Sequence, residues 1–260
     1  MKRIKVMAVF GTRPEGIKMG PVIRKLIADN RFTPVIVSTG QHAEMLQQVL
    51  DIFRIKPDYN LKIMKPGQNL AQITIATMEK LEPIVRKEQP AIMLVHGDTS
   101  SAYAAALTAF YNRVAIGHVE AGLRTWNKYS PYPEEMNRQM IDDLADLYFA
   151  PTTTSAKNLR CSNHKKGITI TGNTAIDALK YTINPNNRLP FLEKIAPGHR
   201  IILLTMHRRE NWGRPMKETF KAIKDVVDSR PDLDVVYPVH LNPIVQRVAN
   251  EVFAGDPGFT

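Results

Sequence analysis

The chain has little of what builds secreted or membrane-spanning proteins. Cys161 is the only cysteine among 260 residues, which excludes an internal disulfide and is typical of a reducing compartment. No apolar stretch approaches the roughly 20 residues that cross a bilayer, and the N-terminus leads directly into a predicted strand over residues 4–10. We therefore expect a cytoplasmic protein that has neither a signal peptide nor a membrane partner.

Acidic residues are under-represented: 35 Lys and Arg residues stand against 25 Asp and Glu residues, a formal net charge of +10. The basic residues are scattered, however, and the sequence has no basic helix face, no ladder of basic and aromatic residues and no nucleic-acid motif. A site for a doubly charged phosphate ligand needs only a few well-placed cations. We expect no nucleic-acid partner.

The motifs of common cofactor sites are missing as well. The turn Phe10-Gly11-Thr12-Arg13-Pro14 joins a predicted strand to a predicted helix, but it has neither the Walker spacing nor the three glycines of a dinucleotide site. The histidines have no metal-ligand spacing, and the single cysteine has no partner motif. We predict no NAD, no metal and no cysteine nucleophile.

What the sequence does contain is a strict alternation of strands and helices. Predicted strands cover residues 4–10, 33–38, 91–95, 114–119, 147–150 and 168–171. Predicted helices cover residues 15–29, 43–53, 69–88, 99–111, 134–145, 155–159 and 174–181. The strands are continuously apolar, which is typical of a parallel sheet covered on both faces. We predict a doubly wound, Rossmann-like α/β domain.

A turn-rich segment over residues 184–190 is the only break in composition. After it the pattern restarts with strands and helices over 200–205, 215–228, 234–238 and 243–252. The predicted parts are a first Rossmann-like domain over 1–182, a linker over 183–198 and the start of a second domain over 199–260. Two strands and two helices do not form a stable α/β sheet with both faces covered, so we expect the second domain to be incomplete.

Two glutamates follow one predicted strand in quick succession. Glu120 stands where the apolar strand ends, and Glu134 begins the next helix just after Pro133. Because ligands of open α/β sheets bind at the carboxyl ends of the strands, both carboxylates are expected in one crevice. Two carboxylates in one cleft suit a general acid and a general base. The alternative is that Glu134 and Glu135 only complement the helix dipole.

Other polar groups stand at the same edge of the predicted sheet. Gly11 would let a phosphate approach free N–H groups at the start of a helix, and Arg13 would offer it a fork of donors, although a structural turn explains them equally well. Lys18 faces either the crevice or solvent. Asp98 is either a site carboxylate or the N-cap of the next helix. His207 and the two arginines after it would suit a diphosphate or form a basic surface turn.

Taken in order, these segments resemble the non-hydrolysing UDP-N-acetylglucosamine 2-epimerases. The resemblance covers essentially the whole chain and rests on residues 10–18, 41–42, 96–99, 118–125, 133–138, 172–174 with Asp177, 207–210 and 238–243. It implies a fold of glycosyltransferase-B type, with the nucleotide sugar between two Rossmann-like halves, and a homodimer. It also implies the interconversion of UDP-GlcNAc and UDP-ManNAc without a cofactor, for cell-surface polysaccharides.

The implied reaction gives each candidate residue a role. UDP leaves C1 as the C2 proton is removed, a 2-acetamidoglucal stays bound, and reprotonation from the other face with re-addition of UDP inverts C2. By resemblance the catalytic set is Asp98, Glu120, Glu134, His207 and Lys18. Also by resemblance, substrate and UDP bind at Gly11, Arg13, Lys18, Asn173 and His207. Which carboxylate is the base and which is the acid stays open at this point.

The resemblance implies two further features. Members of the family can bind a second, activating UDP-GlcNAc, and the matching positions are Gln41, His42, Gln68, Arg208 and His240. Gly67 stands where some relatives have arginine. Family chains also continue beyond Thr260, through a Ser-Gly-Gly and acidic segment and a terminal helix. Two alternatives stay open: a hydrolysing relative that releases ManNAc and UDP, and a nucleotide-sugar-binding remnant without catalysis.

Overall fold

The computed structural model describes residues 3–40, 43–183, 186, 189–208 and 211–255. Contacts divide the chain into two compact units, Met1–Asn184 and Pro185–Thr260. Each unit has its own parallel sheet and its own apolar core. Among the described residues, none of the helices combines the length and the apolar character that a bilayer crossing needs.

The first unit is a seven-stranded parallel sheet with helices between its strands. The strands are β1 (Ile4–Phe10), β2 (Phe32–Ser38), β3 (Tyr59–Asn60), β4 (Ile92–His96), β5 (Ala115–Val119), β6 (Leu147–Ala150) and β7 (Ile168–Ile170). The helices are α1 (Arg13–Ala28), α2 (Ala43–Phe53), α3 (Leu70–Glu88), α4 (Ser100–Tyr111), α5 (Glu134–Leu144), α6 (Thr153–Cys161) and α7 (Thr174–Thr182). The strand order is β3-β2-β1-β4-β5-β6-β7, with every neighbouring pair parallel. The predicted doubly wound α/β class is confirmed.

Both faces of this sheet are covered by helices, as the continuously apolar strands predicted. Met7 of β1 belongs to one apolar cluster together with Leu81 of α3 and Ala105 of α4. Ala8, the next residue along β1, faces the opposite side and belongs to a second cluster together with Phe53 of α2. Alternate residues of one strand therefore serve two cores, which fixes the sheet between two helical layers.

The second unit contains β8 (Arg200–Leu203) and β9 (Leu233–Val236), a parallel pair, with α8 (Arg214–Asp228) and α9 (Pro243–Phe253). A 3-10 helix over Pro190–Lys194 precedes them, and the sequence pattern did not predict it. The core is aromatic: the Phe220 ring centroid lies 4.9 Å from that of Phe253 and 5.3 Å from that of Tyr237. The predicted order of strand, helix, strand and helix is confirmed.

Candidate functional site

The carboxyl ends of β1, β4 and β5 deliver the polar groups of one cavity. These strands are neighbours in the sheet, so the loops that follow them lie side by side. The cavity measures about 360 Å³, and the charged or titratable side chains in its wall include Lys18, His96, Asp98, Glu120 and Glu134. Four of these residues were predicted to form the site, and the structure brings them together. His96 was not predicted.

Glu120 is the first residue after β5, and its φ of 68° turns the chain out of the strand. Its Oε1 accepts hydrogen bonds from Lys18 Nζ at 2.5 Å and from Asn173 Nδ2 at 2.9 Å. Its Oε2 lies 3.5 Å from Nε2 of His96. Lys18 therefore faces the cavity, not solvent. Asn173, predicted to bind the substrate, holds a carboxylate of the site.

Asp98 lies in the turn between β4 and α4, just after Gly97, whose φ is 66°. The alternative that Asp98 caps α4 is wrong, because the hydroxyl of Thr99 accepts the Ala102 N–H at 3.1 Å and is the cap. The backbone carbonyl of Asp98 accepts a hydrogen bond from Asn137 Nδ2 at 2.9 Å. The turn is thus tied to α5, and the Asp98 carboxylate is left facing the cavity.

The surroundings of Asp98 shift its ionisation. Burial raises the pKa of Asp98 to about 6, the positive charge of Arg138 opposes this rise, and the negative charges of Glu134 and Glu120 add to it. Arg138 NH1 lies 3.6 Å from Asp98 Oδ2. A carboxyl group with this pKa exchanges a proton close to neutral pH, where a general acid or base is most effective.

Glu134 and Glu135 are neighbours at the start of α5, but their environments differ. Glu134 is partly exposed and lines the cavity. Glu135 is fully buried, and its two oxygens accept the backbone N–H groups of Thr125 and Trp126, each at 3.0 Å. Burial raises the pKa of Glu135, but these hydrogen bonds, one from Gln139 and the charge of Arg138 outweigh it and bring the pKa below its usual value. Glu135 therefore anchors the loop before α5.

The first turn of α1 corrects one expectation. The N–H groups of Gly11 and Thr12 donate to Glu15 Oε2 at 2.9 and 2.7 Å, and the hydroxyl of Thr99 donates to Glu15 Oε1 at 2.8 Å. The two N–H groups are therefore not free for a phosphate, and that reason for placing UDP at Gly11 is wrong. The spacing Thr12-x-x-Glu15 is a capping box, a sequence signal that could have revealed this contact.

Arg13 is the first residue of α1, and its side chain is exposed. Neither Arg13 nor Gly11 belongs to the residues that line the cavity. Their assignment to UDP binding stays a prediction.

A buried network of polar and charged side chains lies next to the site and was not predicted. His118 of β5 is fully buried, with Nδ1 2.6 Å from Asp142 Oδ1 and Nε2 2.7 Å from the carbonyl oxygen of Gly97. Arg124 NH1 lies 2.7 Å from Asp142 Oδ2. Burial raises the pKa of Asp142, but His118 and Arg124 outweigh it and lower the pKa below its usual value. This network links β5 and α5 to the turn that contains Asp98.

In the second unit, two predicted residues lie together after the ends of β8 and β9. The rings of His207 and His240 stack, with centroids 5.2 Å apart and planes 16° from parallel. The carbonyl oxygen of His207 accepts a hydrogen bond from Trp212 Nε1 at 3.2 Å. Nδ1 of His240 accepts the N–H of Asn242 at 3.1 Å. The roles of both histidines stay predictions.

The other described positions matched to an activating ligand belong to different units of the chain. Gln68 lies just before α3, where its side-chain oxygen accepts the Lys65 N–H at 2.7 Å. Arg208 belongs to the second unit. Gln41 and His42 lie outside the described residues. The part of the chain that the structure describes contains no group of three or more His, Cys, Asp or Glu side chains able to hold a metal ion.

Comparison with known proteins places these features in a family. The family model described as UDP-N-acetylglucosamine 2-epimerase matches residues 24–259. The chain belongs to the UDP-N-acetylglucosamine 2-epimerase family. The curated UDP-N-acetylglucosamine 2-epimerase of Bacillus subtilis is 51% identical over 254 residues, an alignment that covers 97% of this chain and 67% of the relative. The chain thus spans about two thirds of the length of this epimerase.

The chain is also similar to solved structures of this family. A structure of a putative UDP-N-acetylglucosamine 2-epimerase from Listeria monocytogenes is 49% identical with a TM-score of 0.92, covering 100% of this chain and 68% of that one. The UDP-GlcNAc 2-epimerase of Neisseria meningitidis, solved bound to UDP-GlcNAc, is 40% identical with a TM-score of 0.86, covering 98% and 71%. The predicted epimerase family and its glycosyltransferase-B type of fold are confirmed.

Proposed function

We propose that this chain catalyses the reversible inversion of C2 that interconverts UDP-GlcNAc and UDP-ManNAc, without releasing the free sugar. One observation carries the proposal: Asp98, Glu120 and Glu134, from three separate strand ends and helix starts, line a single cavity in a member of the epimerase family. The substrate named for the Neisseria meningitidis relative supports the choice of UDP-GlcNAc.

The reaction proceeds by elimination and re-addition. A carboxylate takes the proton from C2, the C2–H electron pair becomes the C1–C2 double bond, and the C1–O bond breaks with its electrons leaving on UDP. The 2-acetamidoglucal and UDP stay bound. A carboxylic acid then delivers a proton to the opposite face of C2 while UDP adds back to C1. Atoms and electrons balance without an oxidant or a reductant.

The geometry suits two carboxyl groups with different proton affinities, which such a reaction needs. Glu120 has Oε1 held by Lys18 and Asn173, and this leaves Oε2 for proton transfer. Asp98, with its pKa raised to about 6 by burial, retains a proton nearer to neutral pH. Glu134 completes the set of carboxyl groups that line the cavity.

The remaining assignments rest on the family resemblance. UDP contacts are assigned to Gly11, Arg13 and His207. A second, activating UDP-GlcNAc is assigned to Gln41, His42, Gln68, Arg208 and His240. A homodimer, a cytoplasmic location and a role in making precursors of cell-surface polysaccharides complete the proposal.

Product analysis tests this function. The full-length protein is incubated with UDP-GlcNAc, and the anomeric signals are followed by proton NMR. We expect UDP-ManNAc to accumulate until both nucleotide sugars stand at equilibrium, and the same mixture to form from UDP-ManNAc. Free ManNAc with UDP would instead identify a hydrolysing enzyme. Saturable binding of UDP-GlcNAc without any conversion would identify a binding protein, and either result would contradict the proposal.

A further inference from the structure

We propose that His96 is a positioning residue for Glu120: its ring donates a hydrogen bond from Nε2 to Glu120 Oε2, the oxygen that exchanges a proton with the sugar. The inference rests on the proposed function, in which Glu120 is one of the acid–base groups. His96 is the last residue of β4 and stands in the wall of the cavity, directly before the Gly97-Asp98 turn.

The first support is an unmet hydrogen-bonding need. His96 is only 3% exposed, and neither ring nitrogen has a hydrogen-bond partner among the described residues. Buried polar groups are almost always paired, because an unpaired one destabilises the fold. Its register partner on β5 is the buried Val119, so an apolar side chain would suit this position structurally. A histidine here therefore indicates a role in the site.

The second support is the uneven surroundings of the Glu120 carboxylate. Oε1 accepts hydrogen bonds from Lys18 and Asn173, whereas the neighbour of Oε2 is Nε2 of His96 at 3.5 Å. A hydrogen bond of ordinary length requires an approach of about 0.5 Å, which a small rotation of either side chain provides. Hydrogen bonds of catalytic groups are often long in the free enzyme and shorten with substrate.

The charge state of the ring fits a donor, not an acid. Burial lowers the pKa of His96 to about 3, and the positive charges of Lys18 and His118 add to this effect. The ring is therefore neutral at working pH, with one N–H donor and one acceptor nitrogen. A neutral donor can orient a carboxylate and stabilise its ionised form without supplying a proton of its own.

Loss of the His96 N–H should change proton transfer by Glu120 more than the placement of its side chain, because other groups already hold this carboxylate. Lys18 on α1 and Asn173 at the start of α7 hold Oε1, and Asp98 and Glu134 stand in the same cavity wall. His96 faces the remaining oxygen from β4. Without its N–H, the ionised carboxylate loses a donor and becomes protonated at a higher pH. The acidic limb of the kcat profile should therefore move to higher pH, while substrate binding changes little.

Two substitutions in the full-length protein separate this role from simple packing. His96→Phe keeps the ring but removes the N–H, and His96→Gln keeps an amide N–H donor near the position of Nε2. We expect His96→Phe to lower kcat by about 10- to 100-fold, with KM within about threefold of the parent value and the acidic limb shifted upward. His96→Gln should recover part of the kcat and part of the shift.

A matched control is available in the same unit. His164 is partly buried, and its Nδ1 lies 3.1 Å from the Tyr148 hydroxyl oxygen. This hydroxyl donates to the carbonyl oxygen of Ala145, which lies just before β6 and therefore away from the carboxyl ends of the strands. His164→Phe should leave kcat and the acidic limb within about twofold and a few tenths of a pH unit of the parent. An unchanged limb in His96→Phe, or an equal loss of kcat in His96→Gln, would overturn the proposal.

A measurement on the unsubstituted ring covers the case in which His96→Phe does not fold. Nitrogen-15 NMR of the histidine-labelled full-length protein reports which ring nitrogen carries the hydrogen. We expect a neutral His96 with Nε2–H from pH 6 to 8, and a changed Nε2 signal in Glu120→Gln. A hydrogen on Nδ1, or no response to Glu120→Gln, would refute the contact. A parent enzyme that makes no UDP-ManNAc would instead refute the proposed function.

Discussion

Two residues with identical side chains perform different tasks at the start of α5. Glu134 faces the cavity, whereas Glu135 is buried beneath it and binds the backbone of residues 125 and 126. The sequence shows only that both follow Pro133 at a helix N-terminus. Which one faces the cavity depends on the rotation of the helix about its axis, and in this orientation Glu135 meets the backbone of the loop before α5.

The two glutamates offer a matched pair of substitutions. Glu134→Gln should lower kcat by about 10²- to 10⁴-fold, the usual contribution of a positioned acid or base, and leave the free energy of unfolding within about 0.5 kcal/mol. Glu135→Gln should destabilise the fold by roughly 2–4 kcal/mol, because its amide NH₂ would face backbone N–H donors. Steady-state kinetics and urea unfolding measure the two effects. Similar kinetic losses in variants of equal stability would contradict the division of tasks.

At the residue scale, the sequence predicts the parts of the site that follow apolar strands. Asp98 is the second residue after β4 and Glu120 is the first after β5, so the parallel sheet alone brings them to one edge. His96 belongs to the same motif as Asp98, residues 96–99, but it was given no role, because a histidine at the end of a buried strand also fits a core position. The contact of Glu15 with Thr99 was missed because it joins segments 84 positions apart.

At the scale of elements, the loop between β5 and α5 depends on one glycine. Gly122 has a φ of 83°, and a Cβ there would lie 2.3 Å from the carbonyl oxygen of Ser155 and 2.9 Å from Leu159 Cγ. The N–H of Gly122 lies 3.3 Å from Asp142 Oδ2. This close approach keeps the segment after Glu120 against α6, so backbone geometry at Gly122 fixes where the carboxylate stands.

Substitution of Gly122 should therefore lower the free energy of unfolding by more than its left-handed backbone conformation alone would explain. Gly67 is the matched control, because its φ is 73° and no atom of the described residues lies within 4 Å of the position that a Cβ would take. We expect Gly67→Ala to lower the free energy of unfolding by about 1–2 kcal/mol, from the left-handed conformation only. Gly122→Ala should lower it by about 2–5 kcal/mol, because the backbone carbonyl of Ser155 must also shift. Equal losses in urea unfolding would show that the Ser155 contact is unimportant.

The elements themselves were predictable where the apolar pattern is long. The helices α2 and α3 and the strand β1 match their predicted limits to within one residue, because their apolar patterns are clear, and Asn69 and Gln89 cap the two ends of α3. Helix α1 begins two residues earlier than predicted, since Thr12 caps it. Strand β3 was missed because Tyr59 and Asn60 form only a two-residue pairing at the sheet edge, too short to produce a pattern.

At the scale of the whole molecule, two kinds of observation agree. The first unit presents three carboxylates around one cavity, and the family match extends from residue 24 to residue 259, across both units. Four of the motifs on which the sequence resemblance rests, 10–18, 96–99, 118–125 and 133–138, contribute residues to this cavity. Roles assigned to His207 and Arg208 depend on contacts with the nucleotide, which neither the apolar pattern nor the fold of a single unit can supply.

In the proposed reaction, C2 loses its proton to one carboxylate and receives a proton from a second carboxyl group. The most direct measurement is conversion of UDP-GlcNAc by the full-length protein in D₂O, with no added NAD or metal, followed by mass spectrometry and proton NMR. We expect UDP-ManNAc with one deuterium at C2 and an unchanged rate in the presence of a chelator. UDP-ManNAc formed without deuterium at C2, or only after NAD is added, would contradict proton transfer by Asp98, Glu120 and Glu134.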